Sequence, residues 1–365
     1  MDVPETTTSR LQTAAAAFRS GVPIHEAMGA HLYAALCAGS ADDPELIELA
    51  SRGQPGAQPM HLFSSVYDLL LRDSGDPLSR FYITFNETPA PAPEAFPDFK
   101  RFCQQHRAEI VDRLENRTVQ STYVERCRVL LAALSVVAKQ AGEPLNLVEI
   151  GTSAAVLLTF DKYAYDLGRA GRLGSADAPL TLKGEVRGAP ALHIPKVGAR
   201  IGLDLNPLDA KSEEQRRWVR ALIFPEFRER QKTVAQSLEV VAATDIRLLR
   251  GDALDLLPPV LAEITGPVCV FHSTCLMYWP PEAKAALEAL LKDASRERDI
   301  WRVGIEPAAD YDAWYAGRTE EAHKAQRAHG ASWGDVTIGC YRAGAVESRV
   351  VAGTSWDGGV VDWNG

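Results

Sequence analysis

Apolar residues recur every three or four positions from Thr8 to about Gln140, which is the spacing of one face of an α-helix. The pattern is clearest in the segments LQTAAAAFRS, HLFSSVYDLLLRD and FKRFCQQHRAEIVDRL. Asp43 followed by Pro44 predicts a helix start, because a capping side chain and a proline at the first position both favour helix initiation. A long helix over about 123–141 is expected to end at Gly142. The pattern predicts an all-helical domain over residues 1–141.

Beyond Pro144 the pattern changes to short apolar strands that alternate with helical segments. The expected strands are LNLVEI, ARIGLDLN, DIRLLRGDA, PVCVFHS and IWRVGIEP. The segment AAVLLTFDKYAYDLG, after the first strand, has a helical spacing, and a further helix is expected up to His329. VTIGCYRAG and SRVVAG then predict a closing antiparallel pair. This alternation is typical of a doubly wound parallel sheet, so residues 142–365 are predicted to form a Rossmann-like α/β domain.

One segment, at about 169–200, interrupts this alternation with glycines, prolines and short β-like stretches. It is expected to be an insertion between the first helix and the second strand. Two interpretations stay open: a hairpin that covers a binding site as a lid, or a surface excursion without function.

Composition narrows the range of functions. Charged residues make up 24% of the chain, and the formal net charge is −9, so a nucleic acid backbone is not expected as the main partner. The six cysteines form no CxxC pair, so neither a metal site nor a disulfide framework is predicted. The beginning of the chain lacks the pattern of a signal peptide, so none is expected there, and the apolar stretches predict no segment that crosses a membrane. A cytoplasmic protein with no membrane partner is expected.

Candidate binding residues follow the predicted strands. Ligands of open α/β sheets bind outside the carboxyl ends of the strands. An acid at the end of the second strand could accept hydrogen bonds from ribose hydroxyls, and one after the third strand could accept a bond from an adenine amino group. The candidate cofactor-binding residues are Glu149, Gly151, Thr152, Ser153, Asp204, Leu205, Asn206, Gly251, Asp252, Ala253, His272 and Ser273.

The turn after the first strand discriminates between cofactors. A dinucleotide site requires the pattern G-x-G-x-x-G, whereas this turn has a single glycine, Gly151, followed by Thr-Ser-Ala-Ala. Asp204 lies about 55 residues beyond Glu149, rather than the roughly 20 of the dinucleotide pattern. These features disfavour a dinucleotide and favour a sulfonium nucleoside, so S-adenosylmethionine is the predicted cofactor.

Each of these residues also has a purely structural interpretation. Gly151 could make a tight turn without a ligand, and Asp204 could cap the helix expected after Pro207. Asp252 could cap a short helix within GDALDLL. His272, beside a strand end, could be a buried histidine with a structural role.

The motifs resemble a bacterial family that shares the domain of unknown function 2332. The resemblance spans nearly the whole chain and includes HLYAALCAGSADDPELIELA, RTVQSTYVERCRVLLAAL, LVEIGTSAAVLLTFDKYAYDLG, GLDLNPLDAKSEEQRRWVRALIFPEFRERQ, RGDALDLLP, VCVFHS and SWDGGVVDW. It implies a core like that of class I S-adenosylmethionine-dependent methyltransferases, whose sheet ends in an antiparallel hairpin. It implies no particular substrate.

This chain departs from the family pattern at two places. Ala155 stands where the family usually has a glycine, and Leu157 where it usually has an asparagine. The family's Q-T-N-E-V segment is Gln-Ser-Thr-Tyr-Val over residues 120–124. Either the site is retuned for another ligand, or catalysis has been lost.

The leading hypothesis is an S-adenosylmethionine-dependent methyltransferase that acts on a small molecule. A general base is needed only if the acceptor starts protonated, and His272, Tyr278 or Glu306 could supply it. The acceptor pocket is predicted to be lined by Tyr123, Arg126, Tyr163 and Tyr165; for Tyr163 and Tyr165, packing in the core is the alternative.

Two further hypotheses remain open. The same cofactor could undergo cyclisation or elimination instead of methyl transfer. Alternatively, the protein binds a nucleotide or metabolite without catalysis, and its helical domain is a partner-binding or homodimer surface.

Overall fold

The computed structural model describes residues 7–120, 123–142, 144–188, 191–308 and 333–364. Its contacts divide the chain into two compact units. The helical unit comprises Met1–Ser121 and Lys211–Ala235, and the sheet unit comprises Thr122–Ala210 and Gln236–Gly365.

The described helices and strands alternate as the sequence predicts beyond residue 204. The helices are α1 (Thr7–Ala27), α2 (His31–Ser40), α3 (Pro44–Ala50), α4 (Gln58–Arg72), α5 (Phe96–Gln105), α6 (Arg107–Asn116), α7 (Cys127–Ala141), α8 (Glu213–Ala221), α9 (Arg228–Ala242), α10 (Ala253–Glu263) and α11 (Pro281–Ala294). The strands are β1 (Leu145–Ile150), β2 (Ala164–Asp166), β3 (Arg172–Leu173), β4 (Thr181–Lys183), β5 (Glu185–Arg187), β6 (Val197–Asp204), β7 (Arg247–Arg250), β8 (Val268–Ser273), β9 (Ile300–Pro307), β10 (Gly334–Arg342), β11 (Ala345–Thr354) and β12 (Val360–Trp363).

The helical unit is organised around an aromatic and aliphatic core. The predicted start of α3 is confirmed, since the Asp43 carboxylate accepts hydrogen bonds from the backbone of Glu45 and Leu46, both at 3.1 Å. A buried carboxylate, Asp68 on α4, accepts hydrogen bonds from Arg113 on α6 at 2.8 Å and Arg217 on α8 at 3.0 Å. These bonds compensate its desolvation and join three helices.

The division between the units differs from the expected boundary at residue 141. Helix α7, expected to end the helical domain, packs against β9 and β10 of the sheet unit. Conversely, α8 belongs to the helical unit, where the Trp218 indole donates a hydrogen bond to the Thr118 carbonyl at 3.1 Å. An amphipathic helix does not reveal which domain its apolar face covers, so periodicity alone misplaces the boundary.

The sheet unit is built on a nine-stranded sheet with the order β5-β12-β11-β10-β9-β8-β1-β6-β7. Strands β9, β8, β1, β6 and β7 are parallel, and β10 and β11 form the predicted antiparallel pair. The predicted fold, a Rossmann-like α/β sheet with a terminal antiparallel hairpin, is confirmed. Strand β1 lies in the middle of the five parallel strands and is buried along its whole length, which explains its mostly apolar sequence.

The chain after β1 does not form the expected α-helix. It makes a 3-10 helix at Leu157–Lys162 and then strand β2. Ser153 and Ala155 adopt left-handed backbone conformations, with φ of 49° and 58°, which prevent a regular helix from starting at the turn. The apolar spacing instead reflects burial of the 3-10 segment in the core.

The insertion at about 169–200 contributes short strands to two sheets. Strand β5 pairs in parallel with β12, while β2, β3 and β4 form a separate small sheet. Because β5 lies at the end of the sheet opposite β7, this strand does not reach the carboxyl ends of β1 and β6. The helix expected up to His329 lies outside the described residues.

No described helix is long and apolar enough to cross a membrane. Within the same residues, no group of three or more His, Cys, Asp or Glu side chains could hold a metal ion.

Candidate functional site

The sheet has a topological switch point between β1 and β8. On one side the order continues through β6 and β7, and on the other through β9. In doubly wound folds, ligands bind in the crevice outside the carboxyl ends of the strands at this point. The segments after β1, β6, β7 and β8 therefore form the candidate site.

The turn after β1 is tightly packed. Gly151 has φ of +74°, and a Cβ at this position would lie 2.5 Å from Cys275 Sγ. The glycine is therefore required both by the turn and by the approach of Cys275. As a candidate cofactor-binding residue, Gly151 is predicted to have a ligand against its backbone. In the structure, the Cys275 side chain lies there instead.

Glu149 supports this turn from within the protein. Its side chain is buried, and Thr152 Oγ1 donates a hydrogen bond to its Oε2 at 2.7 Å. Burial raises the pKa of Glu149 well above its usual value, and the nearby charge of Asp204 raises it further. Burial thus favours the protonated form of this internal carboxyl group, which supports the turn from inside the protein.

Asp204 connects the turns that follow β1 and β6. Its Oδ2 accepts a hydrogen bond from the Ser153 backbone at 2.8 Å, and its Oδ1 accepts one from the Asn206 backbone at 2.7 Å. It does not cap the following helix, because Ser212 caps α8. Asp204 is only half-buried, so a ligand can approach its carboxylate.

Two neighbouring residues complete this part of the site. Leu205 is 73% exposed beside Asp204, which gives a flat apolar surface at the end of β6. The Asn206 side chain accepts a hydrogen bond from Arg250 at 2.9 Å, which connects the ends of β6 and β7.

Asp252 has the structural role that its sequence context allowed. It is the N-cap of α10, and its Oδ1 accepts a hydrogen bond from the Leu254 backbone at 2.8 Å. Gly251 precedes it with φ of +151°, and Ala253 is buried in the first turn of the helix. Asp252 itself is exposed, so a cap and a ligand contact are compatible.

His272 and Glu306 form a buried pair near the carboxyl ends of β8 and β9. His272 Nδ1 lies 2.8 Å from Glu306 Oε1, and that oxygen also accepts hydrogen bonds from the backbones of Cys275 and Leu276, both at 3.0 Å. Burial lowers the pKa of His272, and the hydrogen bond and charge of Glu306 oppose this effect only in part. His272 Nε2 is buried and has no hydrogen-bond partner in the part of the chain that the structure describes. The pair therefore holds the turn after β8, while Tyr278, the other predicted base, is 77% exposed.

Tyr163 and Tyr165 lie in the core and do not line an open pocket. Each is only 1% exposed. The Tyr163 hydroxyl lies 2.6 Å from Thr159 Oγ1, and the Tyr165 hydroxyl donates to the Phe160 carbonyl at 2.5 Å. Both hydroxyls are thus engaged within the unit, as the packing alternative expects.

Tyr123 and Arg126, in contrast, do reach the end of β8. The Arg126 guanidinium donates hydrogen bonds to Ser273 Oγ at 3.4 Å and to Thr274 Oγ1. It also lies 4.5 Å from the centre of the Tyr123 ring and donates to the Trp356 carbonyl. The structure therefore unites three of the predicted residues, Tyr123, Arg126 and Ser273.

Sequence reasoning missed Thr274, Cys275 and Trp356 at this edge. Thr274 has φ of 51°, and Cys275 follows it directly. The only sequence signal for Trp356 was its position in the SWDGGVVDW segment, which carried the family resemblance but no assigned role.

A cleft of about 650 Å³ lies at the amino-terminal ends of the parallel strands. Its lining includes Asn146, Gly198 and Arg247, which stand at the amino-terminal ends of β1, β6 and β7. It is therefore separate from the strand ends that bind ligands in this type of fold.

The sheet order and the polar strand ends define a Rossmann-like α/β protein with a candidate ligand site at its switch point. The chain belongs to the domain of unknown function 2332 family, described as uncharacterised proteins conserved in bacteria, whose profile matches residues 15–363.

Among the solved structures that this chain resembles, one shows a remote similarity. It is a protein from Listeria monocytogenes that is assigned only provisionally to the class I S-adenosylmethionine-dependent methyltransferases. The two are 12% identical, with 73% of this chain and 77% of that chain covered and a TM-score of 0.28. No curated protein matches the sequence.

Proposed function

We propose that the sheet unit binds S-adenosylmethionine and transfers its methyl group to a small-molecule acceptor. The observation that carries the proposal is the turn between β1 and the 3-10 helix, which has no α-helix N-terminus to receive a pyrophosphate. It favours a nucleoside cofactor over a dinucleotide.

The strand ends fit the nucleoside half of this cofactor. The half-buried carboxylate of Asp204, at the end of β6, is the proposed acceptor of hydrogen bonds from the ribose hydroxyls. Leu205 offers an apolar surface for the adenine ring, and the exposed carboxylate of Asp252 can accept a bond from its amino group.

The methionine part of the cofactor has less room at the turn after β1, because the Cys275 side chain lies against Gly151. When bound, S-adenosylmethionine would supply a methyl group already activated by the sulfonium. The chain's own residues would then orient the acceptor and exclude water, since positioning accounts for much of the acceleration in such a displacement.

Neither of the two buried candidates, His272 and Glu306, is assigned the role of general base. His272 and Glu306 are enclosed and hold the turn after β8, while the exposed Tyr278 stands near the end of β8. The proposed reaction therefore suits an acceptor that is nucleophilic without deprotonation, or one whose proton Tyr278 or water removes.

Thermal-shift titrations with S-adenosylmethionine, S-adenosylhomocysteine and NAD test the cofactor. We expect both sulfur nucleosides, and not NAD, to raise the unfolding temperature, because only the folded state binds them. A shift with NAD alone would contradict the proposal. Mass spectrometry of products then separates methyl transfer from cyclisation or elimination.

A second candidate, a nucleoside-binding protein without catalysis, is favoured by one observation. Ala155 adopts a left-handed conformation, φ of 58°, at the position where the family usually has glycine. If binding occurs without turnover against any acceptor, this candidate replaces methyl transfer.

A further inference from the structure

The residues between β11 and β12 form a turn that the proposed function leaves unexplained. We define the tail turn as residues 355–359, which contain Trp356 and two glycines. Ser355 Oγ donates to Asp357 Oδ1 at 2.8 Å and accepts a hydrogen bond from the Val360 backbone at 3.0 Å. The turn is therefore locally ordered by its own side chains.

Two arginines at the start of α7 hold the tail turn by its backbone. Arg126 Nε and Nη2 donate to the Trp356 carbonyl at 3.0 and 2.9 Å. Arg128 donates to the Gly358 carbonyl at 2.8 Å, to the Asp357 carbonyl at 3.2 Å and to the Lys183 carbonyl. Each of these bonds is charge-assisted, so the attachment is strong.

Glycines allow this close approach. Gly358 has φ of +71°, and a Cβ there would lie 3.0 Å from Arg126 Cα. A Cβ on Gly184 would lie 2.7 Å from Arg128 Cδ. Substitution at either glycine would push the tail turn away from α7.

The fixed turn presents an aromatic side chain beside the candidate site. Trp356 is 37% exposed, and its ring meets that of Tyr123 at 5.0 Å and an angle of 83°. The hydrogen bonds described above go to carbonyl oxygens of the turn, which any residue would provide, so they do not explain a tryptophan at position 356. Arg126 joins this aromatic corner to Thr274, at the end of β8.

We propose that Trp356 and Tyr123 form the acceptor wall, which is the surface against which the methyl acceptor packs. The acceptor carries a planar aromatic group, and Arg128 is the positioning residue for Trp356. This inference rests on the proposed function, because it names the substrate class of the same site. Two rings at right angles offer face and edge contacts to a flat ring, and such contacts favour planar over puckered groups.

The test compares 2-naphthol with its saturated counterpart, decahydro-2-naphthol, by ligand-observed NMR titration in the presence of S-adenosylhomocysteine. We expect the wild type to prefer 2-naphthol. Trp356→Ala should weaken its binding about 3- to 10-fold, as expected for loss of an aromatic contact. Trp356→Phe should retain most of it, and Ile24→Ala, which removes an exposed apolar side chain from the helical unit, should leave it unchanged.

Arg128→Lys tests the positioning role. We expect faster hydrogen exchange at Gly358 and Gly359, together with weaker 2-naphthol binding and unchanged affinity for S-adenosylhomocysteine. If Arg128 only stabilises the fold, the unfolding temperature falls and the affinity for 2-naphthol stays the same.

The outcomes separate this inference from the proposed function. Equal binding of both naphthols, or of 2-naphthol to the wild type and Trp356→Ala, overturns the acceptor wall even if S-adenosylhomocysteine binds. If S-adenosylhomocysteine does not bind, the proposed function fails, and the naphthol titration without it still decides the role of Trp356.

Discussion

Ala155 should carry backbone strain. A left-handed conformation costs a residue with a Cβ about 1–2 kcal/mol. Ala154 is equally buried, and its φ is not positive. We expect Ala154→Gly to lower the free energy of unfolding by about 1–2 kcal/mol, from a lost methyl group and added chain entropy. Ala155→Gly should lower it by about 1–2 kcal/mol less, and urea unfolding of the two variants measures this difference. An equal loss in both would show that Ala155 is unstrained.

Single residues at the turn after β1 explain why this site was only partly predictable. The acids at the ends of β1 and β6 could be identified from their positions, and Asp204 does connect two turns. Sequence could not show that Glu149 faces the interior or that Cys275 covers Gly151, because both facts depend on packing between distant segments.

Glu149 should make stability depend on pH. Because its pKa is raised in the folded protein, the folded state keeps the proton that the unfolded state loses above pH 4.5. The contribution of Glu149 to the free energy of unfolding is fully present below that pH. It declines as pH rises toward the folded-state pKa, by at most about 1.4 kcal/mol per pH unit. We expect Glu149→Gln to lack this decline in urea unfolding between pH 4.5 and 8, whereas Glu347→Gln, at an exposed position, keeps it. Parallel profiles for wild type and Glu149→Gln would argue against a raised pKa.

At the scale of elements, continuous apolar segments made the strands predictable. Strand β1 is buried throughout, and β10 and β11 are long enough to show a clear pattern. The 3-10 helix after β1, the edge strand β5 and its neighbour β12 were not predictable. Left-handed residues such as Ser153 leave no periodic signal, and β5 has only three residues.

The turn after β8 should depend on Glu306. Its carboxylate accepts hydrogen bonds from the backbones of Cys275, Leu276 and Met277. In a Cys340→Ser background, we expect Glu306→Ala to release the turn and to accelerate alkylation of Cys275 by iodoacetamide about tenfold, with stability lowered by about 2–4 kcal/mol. The matched variant Glu347→Ala should leave the rate unchanged. If the rate is also unchanged in Glu306→Ala, these bonds do not control the turn.

At the scale of the whole molecule, the chain forms its units from non-contiguous segments. The helical unit needs residues 211–235, which lie beyond β6 in sequence. Trp218 is buried there, and Arg217 binds the buried Asp68. No local pattern reveals such an exchange of segments, which is why sequence analysis placed the boundary at residue 141.

A fragment of residues 1–141 should therefore not fold cooperatively. It lacks Arg217, so the buried Asp68 loses one of its two cationic partners, and it lacks the core residue Ala221. We expect a broad thermal transition by circular dichroism. Residues 7–120 joined by a flexible linker to 211–235 should instead give a sharp one. A sharp transition for the fragment 1–141 would show that the contiguous domain is sufficient.

The most direct test of the central claim is calorimetric titration of the full-length protein with S-adenosylhomocysteine. We predict binding to the wild type and to Asp255→Asn, an exposed acid on α10. Binding should weaken tenfold or more in Asp204→Ala, provided that its circular dichroism spectrum stays native, because the ribose hydroxyls would lose a charged acceptor. Absence of binding to the wild type, or equal affinity in Asp204→Ala, would contradict a nucleoside cofactor at the carboxyl ends of β1 and β6.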